Sequence, residues 1–476
     1  MKTIKAYILA AGLGAVCMGI SAQETSRSAY FLDGYSFRHE LNPAFSGERN
    51  YISMPALGNL NIGAMSNVGV NTFLYKTGDG QLTTFMNSSV DAGEFLGKLG
   101  KNNKVNINAD ITILSAGFKG FGGFNTVSVG TRVNVGVNLP KGLFEFMKLG
   151  QTGHDTQYNF KNLTVNANSA AEIALGHSHR INDKLEVGAK VKFLLGIGSA
   201  YAKINEMNVT LSDTKWAITA DGELNMAAGS GLRVPTKQEA GKEYDNPDQA
   251  SEIEWGDIEY DSFGLSGFGL GFDLGATYQL LPDLKLSAAV RDLGFMNWSN
   301  NVKGATPGKT WTFDGFDNIA LDSDQPGYED NKIGEQFDNM WDDMQEMINF
   351  HKTDEKTSRA AALAATIHLG AEYNMPFYRN LTGGFLFTQH INGPFSWTEG
   401  RFSANVKPVK WFDASVNYGA STYGSSFGWM LNFHPRGFNF FLGSDHMIFN
   451  VTKSPSLPVG KASVAFNMGI NFTFGS

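Results

Sequence analysis

Cysteine is almost absent from this 476-residue chain: Cys17 is the only one. It lies within the leading apolar run and lacks the Leu-x-(Ala/Gly)-Cys pattern of lipidation, so no disulfide, thiolate metal site or lipid anchor is expected. Long apolar runs are missing too. Ala6 to Ile20 spans about 15 residues, short of the roughly 20 that a helical span needs. Preceded by Lys2 and Lys5 and followed by Ser21-Ala22-Gln23, it reads as a signal peptide, residues 1–22, cleaved after Ala22. Positive charge is also scarce. Lys2 and Lys5 leave with the signal peptide, so the 38 basic residues become 36 against 46 acidic ones, which argues against nucleic acid as a partner.

What the chain has instead is alternation. Val464, Phe466, Met468, Ile470, Phe472 and Phe474 alternate with Ala465, Asn467, Gly469, Asn471 and Thr473. Successive side chains on a strand face opposite sides, so one face here is apolar and the other small or polar. The same pattern covers 105–113, 127–137, 185–193, 268–278 and 412–419. In each, charges keep to one parity. A lipid-facing Arg or Lys near mid-bilayer costs ~2–4 kcal/mol, so this segregation points to a transmembrane β-barrel. Asp110, Arg132, Lys190, Lys192, Asp273 and Arg291 are then candidate lumen residues.

Short joints at 119–123, 181–183, 281–283, 375–380, 407–410 and 434–437 alternate with generally longer ones at 66–103, 138–155, 199–262, 298–359, 392–394, 421–425 and 448–461. Short periplasmic turns and longer outer loops give an all-β antiparallel barrel of about 14 strands, within 12–16. It would occupy residues 50–476, with residues 23–49 as a separate N-terminal segment. The closing C-terminal strand is expected to engage the barrel assembly machinery. In the outer loops, Phe337, Met340, Trp341, Met344 and Met347 fall at helical spacing. Val90–Leu99 and Gly142–Lys148 read as shorter helices.

Residues with catalytic potential are sparse. Gly267-Phe-Gly-Leu-Gly lacks the following helix of a phosphate loop, and its glycines fit crowding inside a barrel. His177 and His179 share a strand face with no third ligand nearby. Asp322-Ser-Asp324 lacks the spacing of a calcium loop. Ser444, Asp445 and His446 are contiguous, so they alternate faces and cannot form a relay by themselves. No catalytic residue, cofactor or metal site is expected.

Residues Tyr30–Arg49 are aromatic, charged and non-alternating, broken by Asn42-Pro43 and by Gly47, where a turn is expected. Such a segment fits a plug inside the barrel, with Arg38, His39 and Glu40 meeting lumen charges. Within it, Asn42-Pro43-Ala44-Phe45-Ser46-Gly47 resembles the Asn-Pro-Ala-(Phe/Tyr)-x-Gly opening of Bacteroidota outer-membrane barrels. These include PorP/SprF-type proteins of type IX secretion and gliding and, more distantly, FadL-like transporters. The layout of the whole chain resembles a Bacteroidota barrel family of unknown function. The resemblance implies an outer-membrane location, contact with its lipid, and a FadL-like fold with an N-terminal element inside. Two functions stay open: binding or passing a small hydrophobic or amphipathic solute, or docking secretion-system proteins. The charged lumen departs from the apolar path of FadL-like proteins.

Overall fold

The computed structural model describes residues 26–77, 81–244, 246–262, 264–316, 332–447 and 463–475. The expected signal peptide, Asp322-Ser-Asp324 and the loop at 448–461 lie outside these residues. Fourteen strands close into one antiparallel barrel. They are β1 (Asn50–Ser53 and Leu60–Ser66), β2 (Asn102–Gly120), β3 (Gly123–Pro140), β4 (Thr164–Arg180), β5 (Leu185–Ser212), β6 (Gly267–Leu281) and β7 (Leu284–Ala305). The second half comprises β8 (His351–Ala362 and Ala365–Asn374), β9 (Leu381–Ile391), β10 (Trp397–Val409), β11 (Phe412–Ser421), β12 (Gly424–Phe433), β13 (Asn439–Ser444) and β14 (Val464–Phe474). Ring closure comes from β14 against β1, with Ile52 opposite Phe472 and Ile62 opposite Phe466.

Alternation decides which way each strand faces. On β14, Phe472 is 52% exposed and Asn471 0%. On β6, Leu274 is 53% exposed and Asp273 0%. An apolar outer surface around a polar interior is the arrangement that satisfies every backbone group in lipid without an open edge. All six short joints connect their strands in two to six residues. Between β2 and β3 the two turn residues, Phe121 and Gly122, both take positive φ, as a two-residue hairpin twisting with its strands requires.

Three departures from simple alternation matter. A bulge at Ile113 in β2 lets Ile113 and Leu114 both face outward, so the outward parity changes from odd to even. A second bulge, at Arg291 and Asp292 of β7, turns both side chains inward, with Asp292 at φ 58°. The third is a break in β1 at 54–59, bridged by Met54 N–H to Ile470 C=O and Ala56 N–H to Ile113 C=O.

Above the barrel the strands run further than expected. The stretches 199–262 and 298–359 were expected as loops, yet β5 continues to Ser212 and pairs with a strand at Trp216–Ala227, which also pairs with the top of β7. Beyond the bilayer neither face has to be apolar, so lipid-type alternation fades while backbone pairing persists. Helices form at α1 (Ala92–Gly97), α2 (Lys141–Leu149) and α3 (Ile333–Glu346). Met344 of α3 packs against Leu143, Tyr158, Val209 and Ile218, so this helix rests on other outer elements as well as its own loop.

Candidate functional site

The N-terminal segment forms the bottom layer of the lumen. Tyr30, Phe31, Leu32, Tyr35, Phe37, Leu41 and Phe45 are buried in one cluster with Tyr51, Phe124, Leu386, Met430 and Phe441 of the wall. Polar ties run from this segment around the ring. Tyr30 Oη lies 3.0 Å from Ser287 Oγ, Ser36 Oγ donates to Asn439 Oδ1 at 2.9 Å, and Ser46 Oγ lies 3.0 Å from Ser178 Oγ. His39 Nε2 lies 2.7 Å from Tyr51 Oη, and Asn59 donates to Glu40 Oε2 at 2.8 Å. Arg38, expected to meet the wall, pairs instead with Asp33 of its own segment and covers the Phe45 ring at 4.1 Å.

The six-residue motif is seated by missing side chains. A Cβ on Gly188 would stand 2.0 Å from the Pro43 carbonyl oxygen, and one on Gly275 would stand 2.0 Å from Asn42 Oδ1. Asn42 itself accepts from Ala44 N–H at 2.9 Å and donates to Ala288 C=O at 3.2 Å. Gly47 was expected to serve a turn. Its place is set by contact, since a Cβ there would stand 2.4 Å from the Phe124 ring.

The amino end of the segment is held by charge. Arg27 Nε lies 3.1 Å from Glu399 and its guanidinium 4.6 Å over the Trp397 ring. The backbone N–H groups of Arg27 and Ser28 both donate to Asp445, at 2.8 Å each. Arg401 closes this group by donating Nε to Glu399 at 2.8 Å. Ser444, Asp445 and His446 therefore serve as anchors: Asp445 and His446 both meet Arg27.

Next comes a charged layer, where all six candidate lumen residues come together. Lys192 Nζ lies 2.7 Å from both Asp273 and Asp292, and Arg132 is 2.9 Å from Asp292 and also pairs with Glu172. Asp110, Arg132, Lys190, Lys192, Arg291, Glu172 and Glu40 line a small cavity of about 40 Å³. The sequence reading missed Asp292 because the bulge reverses its parity. It missed Glu172 because the small side chains of Asn168-Ser-Ala-Ala171 hide the alternation of β4.

Above this layer lies a cavity of about 320 Å³ with two unlike walls. Asn108, Asn134, Asn166 and Asn168 of β2, β3 and β4 form one arc. Leu194, Met296, Trp298, Leu363, Phe395 and Trp397 form the other. The joint between β9 and β10 folds inward, and Phe395 reaches across to Gly136 of β3, where a Cβ would stand 2.7 Å from its ring. Arg132 and Arg291 line both cavities, so the charged layer is the floor of the larger one.

A family profile matches residues 43–445, from Pro43 of the N-terminal motif to Asp445 of the anchor. The chain belongs to DUF5723, a family of unknown function. None of the curated proteins matches this DUF5723 member. Among solved structures it is similar to the Ralstonia pickettii toluene transporter TbuX, with 10% identity, 93% of this chain and 94% of that one covered, and a TM-score of 0.39. It is similar also to the Pseudomonas putida toluene transporter TodX (8% identity, 96% and 95% covered, TM-score 0.39) and to a Pseudomonas aeruginosa FadL homologue (9%, 96% and 99%, 0.40). Likenesses at this level carry no argument about what this chain binds.

Proposed function

We propose that this chain is an outer-membrane barrel that binds a small solute in its lumen, above an N-terminal segment acting as a plug. The carrying observation is the 320 Å³ cavity with one amide wall and one apolar wall, floored by charge. Ligand sites are concave and mix apolar lining with a few placed polar groups, and this lining suits an amphipathic solute. The apolar belt argues for lipid around the barrel, and the Asn42–Gly47 resemblance argues for a Bacteroidota-type outer membrane.

A second reading is favoured by the closed lower lumen, where the buried ion pairs of Arg27 with Glu399 and Asp445 pin the segment between the cavity and the inner side. Such a barrel could hold a solute without passing it, or serve secretion-system partners as a scaffold. Flux through proteoliposomes separates the two. Ser46→Cys with Ser178→Cys introduces the only thiols of the mature chain where the two hydroxyls are 3.0 Å apart. Solute flux that stops on oxidation and returns on reduction supports a mobile plug. Flux indifferent to the tether rules that out. No flux from the intact protein, together with stoichiometric protein partners in native extracts, favours the scaffold.

A further inference from the structure

We propose that the large cavity selects an anionic sugar, a hydroxylated ring bearing one carboxylate or phosphate. This rests on the solute-binding reading and goes on to name the chemistry of the solute.

The first observation is charge. The chain carries 46 acidic residues against 38 basic ones, yet among the described residues lining this cavity there are Arg132, Arg291 and Arg359 and no Asp or Glu. Arg132 is held by Glu172 and Asp292 below the floor. Arg359, half-buried on β8, is placed differently. Its Nη2 donates to Ser199 Oγ at 3.1 Å and its guanidinium lies 5.1 Å over the Tyr201 ring. Among the described residues its Nε has no hydrogen-bond partner, and no carboxylate lies within ion-pair distance. A guanidinium oriented by an aromatic face, with donors unspent, suits a carboxylate or phosphate.

The second observation is the amide arc. Asn166 and Asn168 line the cavity, and among the described residues neither side chain has a hydrogen-bond partner. An amide presents a donor and an acceptor together, which complements a hydroxyl group that is also both. An alkyl chain laid against this arc would leave those groups unpaired. The third is the opposite wall, where Met296, Leu363 and Phe395 offer an apolar surface to the C–H face of a ring. A bare inorganic anion would leave that surface unused.

Binding to the full-length protein, purified in a detergent without a sugar head, tests this by calorimetry and by the fluorescence of Trp298 and Trp397. The probes are glucuronate, glucose 6-phosphate, glucose and octanoate. At least one charged sugar is expected to bind tenfold or more tightly than glucose. Comparing glucuronate with glucose 6-phosphate tells a carboxylate from a phosphate. Arg359→Gln should erase the preference over glucose, Arg359→Lys should keep part of it, and Asn166→Leu with Asn168→Leu should weaken the charged sugar about tenfold. Octanoate binding in preference, unmoved by the asparagine changes, overturns the proposal in favour of an alkyl anion. Equal binding of glucose and the charged sugars, or no binding by any sugar, also overturns it. Passage through liposomes is scored separately. Octanoate passage without sugar binding ends this inference and leaves the solute-binding reading standing, while sugar binding without passage supports the inference and favours a barrel that holds its solute.

Discussion

Replacing Lys192 with Met should cost this barrel more than any surface ion pair could account for. Lys192 is 2% exposed and its Nζ stands 2.7 Å from both Asp273 and Asp292, themselves 0% and 2% exposed. Methionine keeps the unbranched stem as far as the ε-carbon and removes the ammonium group. Asp292 would retain Arg132 at 2.9 Å, while Asp273 would keep, among the described residues, the Asp292 N–H at 2.8 Å as its hydrogen-bond donor and Lys190 only as a more distant charge. Stranding a buried carboxylate in this way costs roughly 3–5 kcal/mol, against 0–1 kcal/mol for an exposed pair. Adding Asp273→Asn removes the stranded charge and leaves an amide oxygen to accept the same N–H. The double variant should therefore recover to within about 1–2 kcal/mol of the parent, since removing a whole buried pair is often nearly neutral. The assay is equilibrium urea unfolding in lipid vesicles, followed by tryptophan fluorescence. A loss below about 1 kcal/mol for the single change would mean that lumen water screens the network. A double variant weaker than the single one would mean that the pairing itself is misassigned.

Other consequences follow from the same geometry. Phe466→Arg puts a cation on the outer face of β14, at ~2–4 kcal/mol near mid-bilayer, and should block recovery from the membrane fraction; Asn168→Arg, facing the cavity, should assemble, and equal recovery of both would refute the face assignment. Asn467 is a poorer control than parity suggests, because it is 1% exposed and bonded to Asn61. Gly188→Ala sets a methyl 2.0 Å from the Pro43 carbonyl, so the N-terminal segment should become sensitive to protease; an unchanged digestion pattern would refute the seating. Burial, and then the nearby Lys190, hold His39 well below its usual 6.5 and neutral. The unfolded chain then binds the extra proton first, so stability should fall below about pH 6.5, by at most about 1.4 kcal/mol per pH unit, and His39→Gln should flatten that slope.

Much of this was legible because lipid imposes a periodicity of two. The alternation of 464–474 and the six short joints specify strands, their outward faces and a count of about 14, within 12–16, since each slip of one residue would put charge into hydrocarbon. The helical stripe through Met340, Met344 and Met347 was equally plain, because it too is a local period. Asp292 was not legible. Its inward turn depends on one extra residue in β7 opposite β6, and a bulge leaves no mark in alternation read on one strand alone. Nor was the partner of Arg38, because Asp33, five residues away, meets it only through the turns of a segment with no regular period. The use of Gly188 and Gly275 as seats for Pro43 and Asn42 was hidden too, because those neighbours lie far apart in the chain. The sequence by itself determined the barrel, its lipid face and the polar character of its interior, all set by local side-chain period. Only the tertiary structure decided which lumen charges meet, how the N-terminal segment sits among them and where space is left for a ligand, because those depend on ring closure and on bulges that bring distant strands into register.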